Sequence, residues 1–255
     1  MYNRKDKIIT KPSQMEFKKA VLKKHSQLTH NVFQLDLEID EPSAHLAGQF
    51  ITIRINNGGD KPTMRAYSLA NKPGDNLLQL CVKAIEGGSG STWLNEIKEG
   101  EEIEYIGPAG GFTFAPPATE DTQKEILLIA TGTGIAPIKA MLEDELTNKN
   151  SQQKFNLIFG VRHIKDVFYK ELLEQLAQDY PNFTYQITLS KPEDPSWEQE
   201  GGLQGRVTDY LHTLNLNPTN TESYACGLKP MIEETTALLQ EKGLPKEAIH
   251  HENFG

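Results

Sequence analysis

The chain has 255 residues, enough for two modest domains or one large one. It carries 26 Lys and Arg against 35 Asp and Glu, a net charge of −9, which argues against nucleic acid as its general partner. Its two cysteines, Cys81 and Cys226, lie far apart, so neither a disulfide framework nor a four-thiolate metal site is expected, and no metal ligand set stands out.

The charge is uneven. Residues 1–24 hold eight basic side chains against two acidic ones, +6, while the remainder holds 18 against 33, −15. A basic stretch on an acidic body is either a docking patch or solvated charge at a terminus. No apolar run approaches the ~18 residues of a membrane span, and the N-terminus lacks the apolar core of a signal peptide. A soluble, cytoplasmic protein is expected.

After a basic tail over 1–14, residues 15–118 read as strands. "EFKKAVLKKHSQLTHNVFQLDLEI" holds two β-rich runs around a polar turn, "GQFITIRI" (48–55) alternates apolar and polar residues, and "RAYSLAN" (65–71) and "LLQLCVKAI" (77–85) follow. Turn residues at Gly58-Gly59, Asn71–Gly74, Gly87–Gly90 and Gly107–Gly111 punctuate them. Short strands at this spacing predict an antiparallel barrel or sandwich, with one helix intruding at "STWLNEI" (91–97).

Beyond the Pro-rich connector "APPATEDTQ" (115–123) the grammar changes. Strand candidates at 125–130, 155–160, 183–190, 223–227 and "AIHHENF" alternate with helices over 135–147, 166–179, 206–214 and 230–242. This rhythm predicts an α/β domain with a parallel sheet over 119–255, whose ligands bind at the carboxyl ends of the strands.

One such end carries "ATGTGIAPIKAML" (130–142). Gly132 and Gly134 have the G-x-G spacing of a dinucleotide loop, but Pro137 stands where the third glycine belongs. Glycines let backbone amides approach an anion, the helix directs its positive end at it, and Thr131 and Thr133 add hydroxyl donors. Pro137, in the first helical turn, costs no hydrogen bond. A Walker A loop is excluded, because no Ser or Thr follows Lys139. The plain alternative is a Gly-rich turn with no ligand.

Three further stretches bear on chemistry. In "RAYSLAN", Arg65 suits bidentate phosphate contact, Tyr67 suits stacking and Ser68 adds a hydroxyl, although as an isolated tetrapeptide this is also ordinary surface decoration. "GGSGSTWL" (87–94) is a Gly-rich loop entering a helix with Ser91 or Thr92 at the cap, either a second anion site or a plain capped helix. "YACGLKPM" (224–231) sets Cys226 and Gly227 at a strand end, where a cysteine is usually a small buried hydrophobe.

Taken in order, R-x-Y-S, G-x-x-S-x-x-L, G-T-G-I-A-P and C-G-x-x-x-M with an E-x-F ending resemble the ferredoxin–NAD(P)H reductase superfamily over about residues 15–255. The resemblance implies an N-terminal flavin-binding antiparallel β-barrel, a C-terminal NAD(P)-binding α/β domain and chemistry at the cleft between them. It places Arg65 on the flavin pyrophosphate, Tyr67 against the isoalloxazine or ribityl chain and Ser68 near flavin N5. Cys81, Val82 and Lys83 would line the ribityl and phosphate region, and Gly88, Ser91 and Thr92 would meet the pyrophosphate. That loop favours FAD, with FMN as the alternative. "GPAGGF" (107–112) matches the turn near the end of the family's barrel.

In the second domain the resemblance assigns Thr131, Gly132, Thr133, Gly134 and Pro137 to the NAD(P) loop, and Cys226 and Gly227 to the pair facing the nicotinamide. Glu252 and Phe254 match an acidic residue and an aromatic lying over the flavin, although Gly255 follows where several subgroups stop at the aromatic. Arg162, Ser190, Lys191 and Arg206 resemble positions that bind the 2′-phosphate of NADPH, though similar stretches occur in NADH-using relatives.

The implied reaction is hydride transfer from NAD(P)H to FAD N5, with Ser68, Cys226 and Glu252 as the catalytic set, and then release of single electrons. With only two cysteines, a fused plant-type iron–sulfur domain is not expected. The expected acceptor is a separate carrier such as ferredoxin or flavodoxin, steered by the basic N-terminus. The alternatives are the reductase component of a multi-subunit oxygenase, a free-flavin or quinone reductase, and a non-catalytic flavin-binding subunit.

Overall fold

A computed structural model describes residues 16–56, 58, 61–114, 124–191, 197 and 202–254. The tail over 1–14, the domain boundary at 118/119 and Gly255 lie outside the described residues.

Six strands make the first half: β1 (Lys18–Gln27), β2 (Val32–Glu38), β3 (Phe50–Ile55), β4 (Thr63–Ser68), β5 (Leu77–Lys83) and β6 (Glu102–Ala109). They pair antiparallel in the order β4-β3-β6-β1-β2-β5. Alternation decides which face is inside: in β3, Ile51, Ile53 and Ile55 are fully buried and pack with Leu22, Leu35, Leu80 and Ile103. The edge strands β4 and β5 meet through a bridge between Leu69 and Leu80, so the sheet curls towards a barrel with a seam. Helix α1 (Ser89–Glu96) lies at that seam, its Gly90 against Ile55 and Tyr67.

The second half is a parallel sheet of β7 (Glu125–Thr131), β8 (Lys154–Val161), β9 (Phe183–Leu189), β10 (Leu203–Gln204), β11 (Thr221–Gly227) and β12 (Ile249–Asn253). Their order is β10-β9-β8-β7-β11-β12. The chain builds outward from β7 to β10 and then crosses back to β11 and β12, so the order reverses between β7 and β11. That reversal opens a crevice at their carboxyl ends. Helices α2 (Ile135–Glu143) and α3 (Lys170–Asp179) cover one face, while α4 (Val207–Thr213) and α5 (Lys229–Glu241) cover the other. The expected two-part architecture is the observed one.

Two helices depart from expectation. The helix expected over 166–179 is interrupted: a 3-10 turn at Ile164–Asp166 is followed by Tyr169 in the left-handed region (φ 60°, ψ 13°), and α3 starts only at Lys170. Contacts to the barrel, described below, hold Tyr169 there against its local preference. The helix expected over 135–147 is regular to Glu143 and then widens into a π turn at Asp144–Asn148.

Helix α2 has no solvent face. Every residue from Ile135 to Leu142 is buried, between β7 and β11 below and barrel residues such as Ala47, Ala70 and Cys81 above. An apolar run with no polar stripe is stable only when both sides are covered.

Gly48 shows how tight this contact is. It is buried at φ +99°, and a Cβ there would overlap the Phe112 carbonyl and the Met141 methyl of α2. Gly48→Ala is therefore expected to lower stability by roughly 2–3 kcal/mol in urea unfolding. A loss below about 0.5 kcal/mol would mean that the two halves are not packed this closely.

Candidate active site

Parallel register assembles the nucleotide side of the site. Cys226 lies beside Ala130 of β7 and beside Glu252 of β12. The Thr131–Gly134 turn, Cys226-Gly227 and the Glu252–Phe254 segment thus leave the sheet side by side. Two glycines permit this: a Cβ on Gly134 would overlap the Cys226 carbonyl, and one on Gly227 would overlap the Thr131 hydroxyl. Gly132 adopts φ +53° beneath open space, since a Cβ there would meet nothing within 4 Å. No side chain caps the start of α2, and Pro137 sits in its first turn as expected.

The barrel side is built on β4. Met64, Arg65 and Ala66 are exposed, Tyr67 is half-buried, and Ser68 is buried at the strand's end. The Arg65 guanidinium donates to the Met64 carbonyl at 3.0 Å and has no carboxylate partner among the described residues. Burial pushes the Tyr67 hydroxyl above its usual pKa, against the opposing pull of Arg65. Gly90 brings α1 close to both: a Cβ there would stand 3.1 Å from the Tyr67 hydroxyl and 3.3 Å from Arg65 Cγ.

Two expectations on this side need correction. The cap of α1 is Gly88, so Ser91 and Thr92 are the third and fourth helical residues. Ser91 is buried, and its hydroxyl accepts from the Ile85 amide at 3.0 Å and donates to the Gly88 carbonyl at 3.3 Å. It shapes the loop from within, leaving the helix start uncapped, while Thr92 is exposed. In β5, Val82 points into the barrel core and Cys81 into the interface between the two halves. Only the backbone of that strand and the exposed Lys83 are free to line a groove.

Ser68 and Glu252 join the halves. The Ser68 hydroxyl donates to Glu252 Oε1 at 3.0 Å across 184 positions of sequence. Burial holds the Glu252 carboxyl above its ordinary range, and the Ser68 hydrogen bond pulls it part of the way back. Burial, then the neighbouring Glu252, raises the Cys226 thiol, which is neutral at physiological pH. Phe254 packs half-buried on the interface core, its amide donating to the Gly227 carbonyl at 2.8 Å.

Further along the same sheet edge, Arg162 and Lys191 are tied through the Lys191 amide and Arg162 carbonyl at 2.8 Å, and the Ser190 amide donates to the Val161 carbonyl at 3.0 Å. Arg206 caps α4 nearby, 3.6 Å from Glu234. All four side chains are exposed.

Lys139 of α2, buried between the domains, and Tyr169 carry no motif, and sequence reasoning passed over them as interface residues. The basic N-terminal stretch is partly neutralised, because Lys19 pairs with Glu102 and Lys23 with Glu38, each at 2.8 Å. Among the described residues no helix is long and apolar enough to cross a membrane, and no cluster of three His, Cys, Asp or Glu side chains could hold a metal ion.

Residues 19–114 match the oxidoreductase FAD-binding domain family, and residues 128–237 match the oxidoreductase NAD-binding domain family. This chain belongs to the ferredoxin–NAD(P)H reductase superfamily. Among its relatives in the superfamily is the electron transfer component of toluate 1,2-dioxygenase from Pseudomonas putida, 30% identical over 83% of this chain and 59% of that protein. One component of the Na(+)-translocating NADH-quinone reductase from Psychrobacter cryohalolentis is 29% identical over 89% of this chain and 57% of that protein. The solved ferredoxin reductase in carbazole 1,9a-dioxygenase superposes with a TM-score of 0.81 at 25% identity, over 94% of this chain and 70% of that one. The chain spans little more than half the length of the first two of these relatives.

The residues present fit the two cofactors of the superfamily. The Arg65 guanidinium, which has no carboxylate partner among the described residues, stands beside the uncapped start of α1 and suits an anionic group, and the half-buried Tyr67 offers it an aromatic face. On the nucleotide side the Thr131 hydroxyl is buried against Gly227 without a hydrogen-bond partner, and the open space at Gly132 leaves the turn that follows free to approach an anionic group.

Glu252 makes the site sensitive to pH. Its folded-state pKa lies above its unfolded one, so its contribution to stability is fully present at low pH and is lost as pH rises through the folded value. Glu252→Gln, which cannot ionise, should therefore gain thermal stability over the native chain at about pH 8 and little at about pH 4. An equal effect at both pH values would show that the fold does not raise the proton affinity of this carboxyl.

Proposed function

We propose that this chain takes hydride from NAD(P)H onto a bound FAD and passes electrons singly to a separate acceptor. The observation that carries the proposal is the Ser68–Glu252 hydrogen bond, which sets the strand bearing Arg65 and Tyr67 against the sheet edge bearing Gly132–Gly134 and Cys226. When bound, the flavin would supply hydride acceptance and one-electron release, chemistry that no side chain here possesses.

The side chains bind, orient and protect. Arg65 and the free amides of Ser89, Gly90 and Ser91 at the start of α1 would neutralise the pyrophosphate of FAD, the Gly88 and Thr92 amides being bonded to the Ile85 and Gly88 carbonyls, and Tyr67 would offer its face to the ring or ribityl chain. The backbone of Cys81 and Val82, with Lys83, lines the same groove. Thr131, Gly132, Thr133 and Gly134 hold the dinucleotide, with Pro137 setting the helix start. Cys226 and Gly227 would bound the nicotinamide site, where the thiol, kept neutral by burial, would offer a small uncharged surface. With a flavin bound, Ser68 would turn its one hydroxyl hydrogen from Glu252 towards N5, Glu252 would hold or yield a proton beside it, and Phe254 would exclude water from the site. Arg162, Ser190, Lys191 and Arg206 receive the 2′-phosphate of NADPH, which is favoured over NADH on that ground.

The acceptor we infer is a ferredoxin-type carrier or flavodoxin in the cytoplasm. Similarity to the electron transfer component of toluate 1,2-dioxygenase favours, as a second reading, the reductase of a multi-subunit oxygenase. With Lys19 and Lys23 paired to glutamates, steering by the basic stretch over 18–24 falls to Lys18 and Lys24, with residues 1–15 outside the described structure.

Anaerobic titration is the direct test. The purified chain should be yellow, and NADPH, more readily than NADH, should bleach it. Flavin that neither nucleotide bleaches would overturn the proposal. Ser68→Ala should retain flavin but slow its reduction at least tenfold, about 1.4 kcal/mol of barrier, and an unchanged rate in stopped flow would remove Ser68 from the mechanism.

If the acceptor is an acidic carrier, its reduction should slow severalfold between about 50 and 300 mM salt while flavin reduction stays constant. A salt-independent rate would point to a small-molecule acceptor.

A further inference from the structure

The one charged side chain inside the buried stretch of α2 is Lys139, and all of its donors are used. Its ammonium donates to the Ala70 carbonyl at 2.9 Å, to Glu143 Oε2 at 3.0 Å and to Gln79 Oε1 at 3.5 Å. Ala70 and Gln79 belong to the barrel, whereas Lys139 and Glu143 belong to the nucleotide domain. The ammonium also stands 5.4 Å from the centroid of the Tyr169 ring. Tyr169 reaches the barrel in turn: its hydroxyl donates to Gln34 Oε1 of β2 at 2.8 Å and meets the Cys81 thiol of β5. The left-handed backbone of Tyr169, uncommon for a bulky residue, is the conformation that delivers the ring there.

The positions at the two ends of this contact matter. Ala70 lies two residues beyond Ser68, and its amide is fixed by the Gln79 carbonyl at 2.8 Å. Lys139 lies five residues beyond Gly134, on the same helix that the glycine turn begins. The Lys139–Ala70 bond therefore links a position two residues beyond Ser68 to one five residues beyond Gly134, in the loop proposed to hold the dinucleotide. Hydrophobic contact alone is non-directional and tolerates sliding, whereas a buried ammonium with three acceptors is satisfied in one geometry. A buried ion pair is weak support for stability, and its attested use is to specify one arrangement among several.

We propose that Lys139, braced by Tyr169, is a positioning residue that fixes the register of the nucleotide domain on the barrel, and so aligns the two cofactors without contributing to their occupancy. The proposal rests on the function proposed above. A misplacement of ~1 Å between reacting groups can cost on the order of 10²-fold in rate. The rim contacts of Lys72 with Thr147 and Asn148, both 2.8 Å, keep the domains together when the central bond is removed.

The test pairs an apoprotein measurement with a kinetic one. Both native cysteines are buried, so spin labels can be placed on Lys98→Cys of the barrel and Gln175→Cys of α3. Lys139→Met should at least double the width of the inter-label distance distribution. In the flavin-loaded protein it should slow flavin reduction tenfold or more at saturating nucleotide, with nucleotide affinity within about threefold of native. Lys139→Arg, which keeps the charge and the donors, should recover most of both. Should Lys139→Met not fold, Tyr169→Phe, which loses only the hydroxyl, should broaden the distribution measurably, and an unchanged width there would overturn the proposal. Native width and native rate in Lys139→Met would overturn it, as would slow reduction without broadening, because the lysine would then act through charge and not through geometry. A native chain whose flavin no nucleotide reduces would defeat the proposed function alone, since the distance measurement decides the positioning role without cofactors.

Discussion

The structure depends on a helix that water cannot reach. Because α2 is covered by the sheet on one side and the barrel on the other, the two halves share one core that runs from Phe159 and Tyr224 through Ile138 and Met141 to Ala70 and Cys81. Two domains joined by a polar interface move relative to each other by default, whereas a continuous apolar core ties them into one body. The same burial forbids an unpaired polar group on α2, so its single ammonium must find acceptors on both sides. Packing draws the halves together, and the directional bonds decide at what angle they meet.

From that arrangement the electrostatics of the cleft follow. Glu252 ends a strand in one half and Ser68 ends a strand in the other, so their hydrogen bond exists only when both strands are in register with the shared core. Burial alone would favour a protonated carboxyl, and the serine hydroxyl opposes it. A group balanced between desolvation and one donor changes its proton affinity when either is altered, which is what a proton-handling residue requires. Cys226, its register neighbour, is instead driven uniformly towards the neutral thiol. Adjacent positions on one sheet edge thus differ: the carboxyl is pulled both ways, by burial and by its donor, while the thiol is pushed only towards its neutral form.

The chemistry-bearing motifs were legible because each sits where a regular element ends. Strand-end glycines follow from turn grammar, whereas the Arg65–Ser68 run and the E-x-F ending stand out only through the resemblance to the superfamily; parallel register places Ala130, Cys226 and Glu252 side by side. Features decided by tertiary contact were not legible. Ser91 is a good capping residue by type, yet a helix starting two residues earlier turns its hydroxyl inward. Tyr169 sits in what reads as a continuing helix, and only its bonds into the barrel hold it left-handed. Lys139 in a G-x-x-P-x-K run reads as an exposed helical lysine, and only the barrel above α2 makes it a buried one. Likewise Glu38 and Glu102, which neutralise two lysines of β1, come from strands that pair with it, far off in sequence.

Burial also separates what can change from what cannot. The proposed coenzyme-specificity residues Arg162, Ser190, Lys191 and Arg206 are exposed at strand ends and helix starts, bound to their surroundings mainly through backbone. Substitution at such positions typically shifts stability by no more than ~0.5 kcal/mol, so preference between two coenzymes can drift at little cost to the fold. Ser68, Cys226, Gly134 and Gly227 lie within contact of the core, where even one added carbon overlaps a neighbour at the two glycines. A change there disturbs the shared core along with the reaction. On this reading the fold holds its redox geometry fixed by making it part of the core, and leaves the choice of electron donor to side chains that the core does not need.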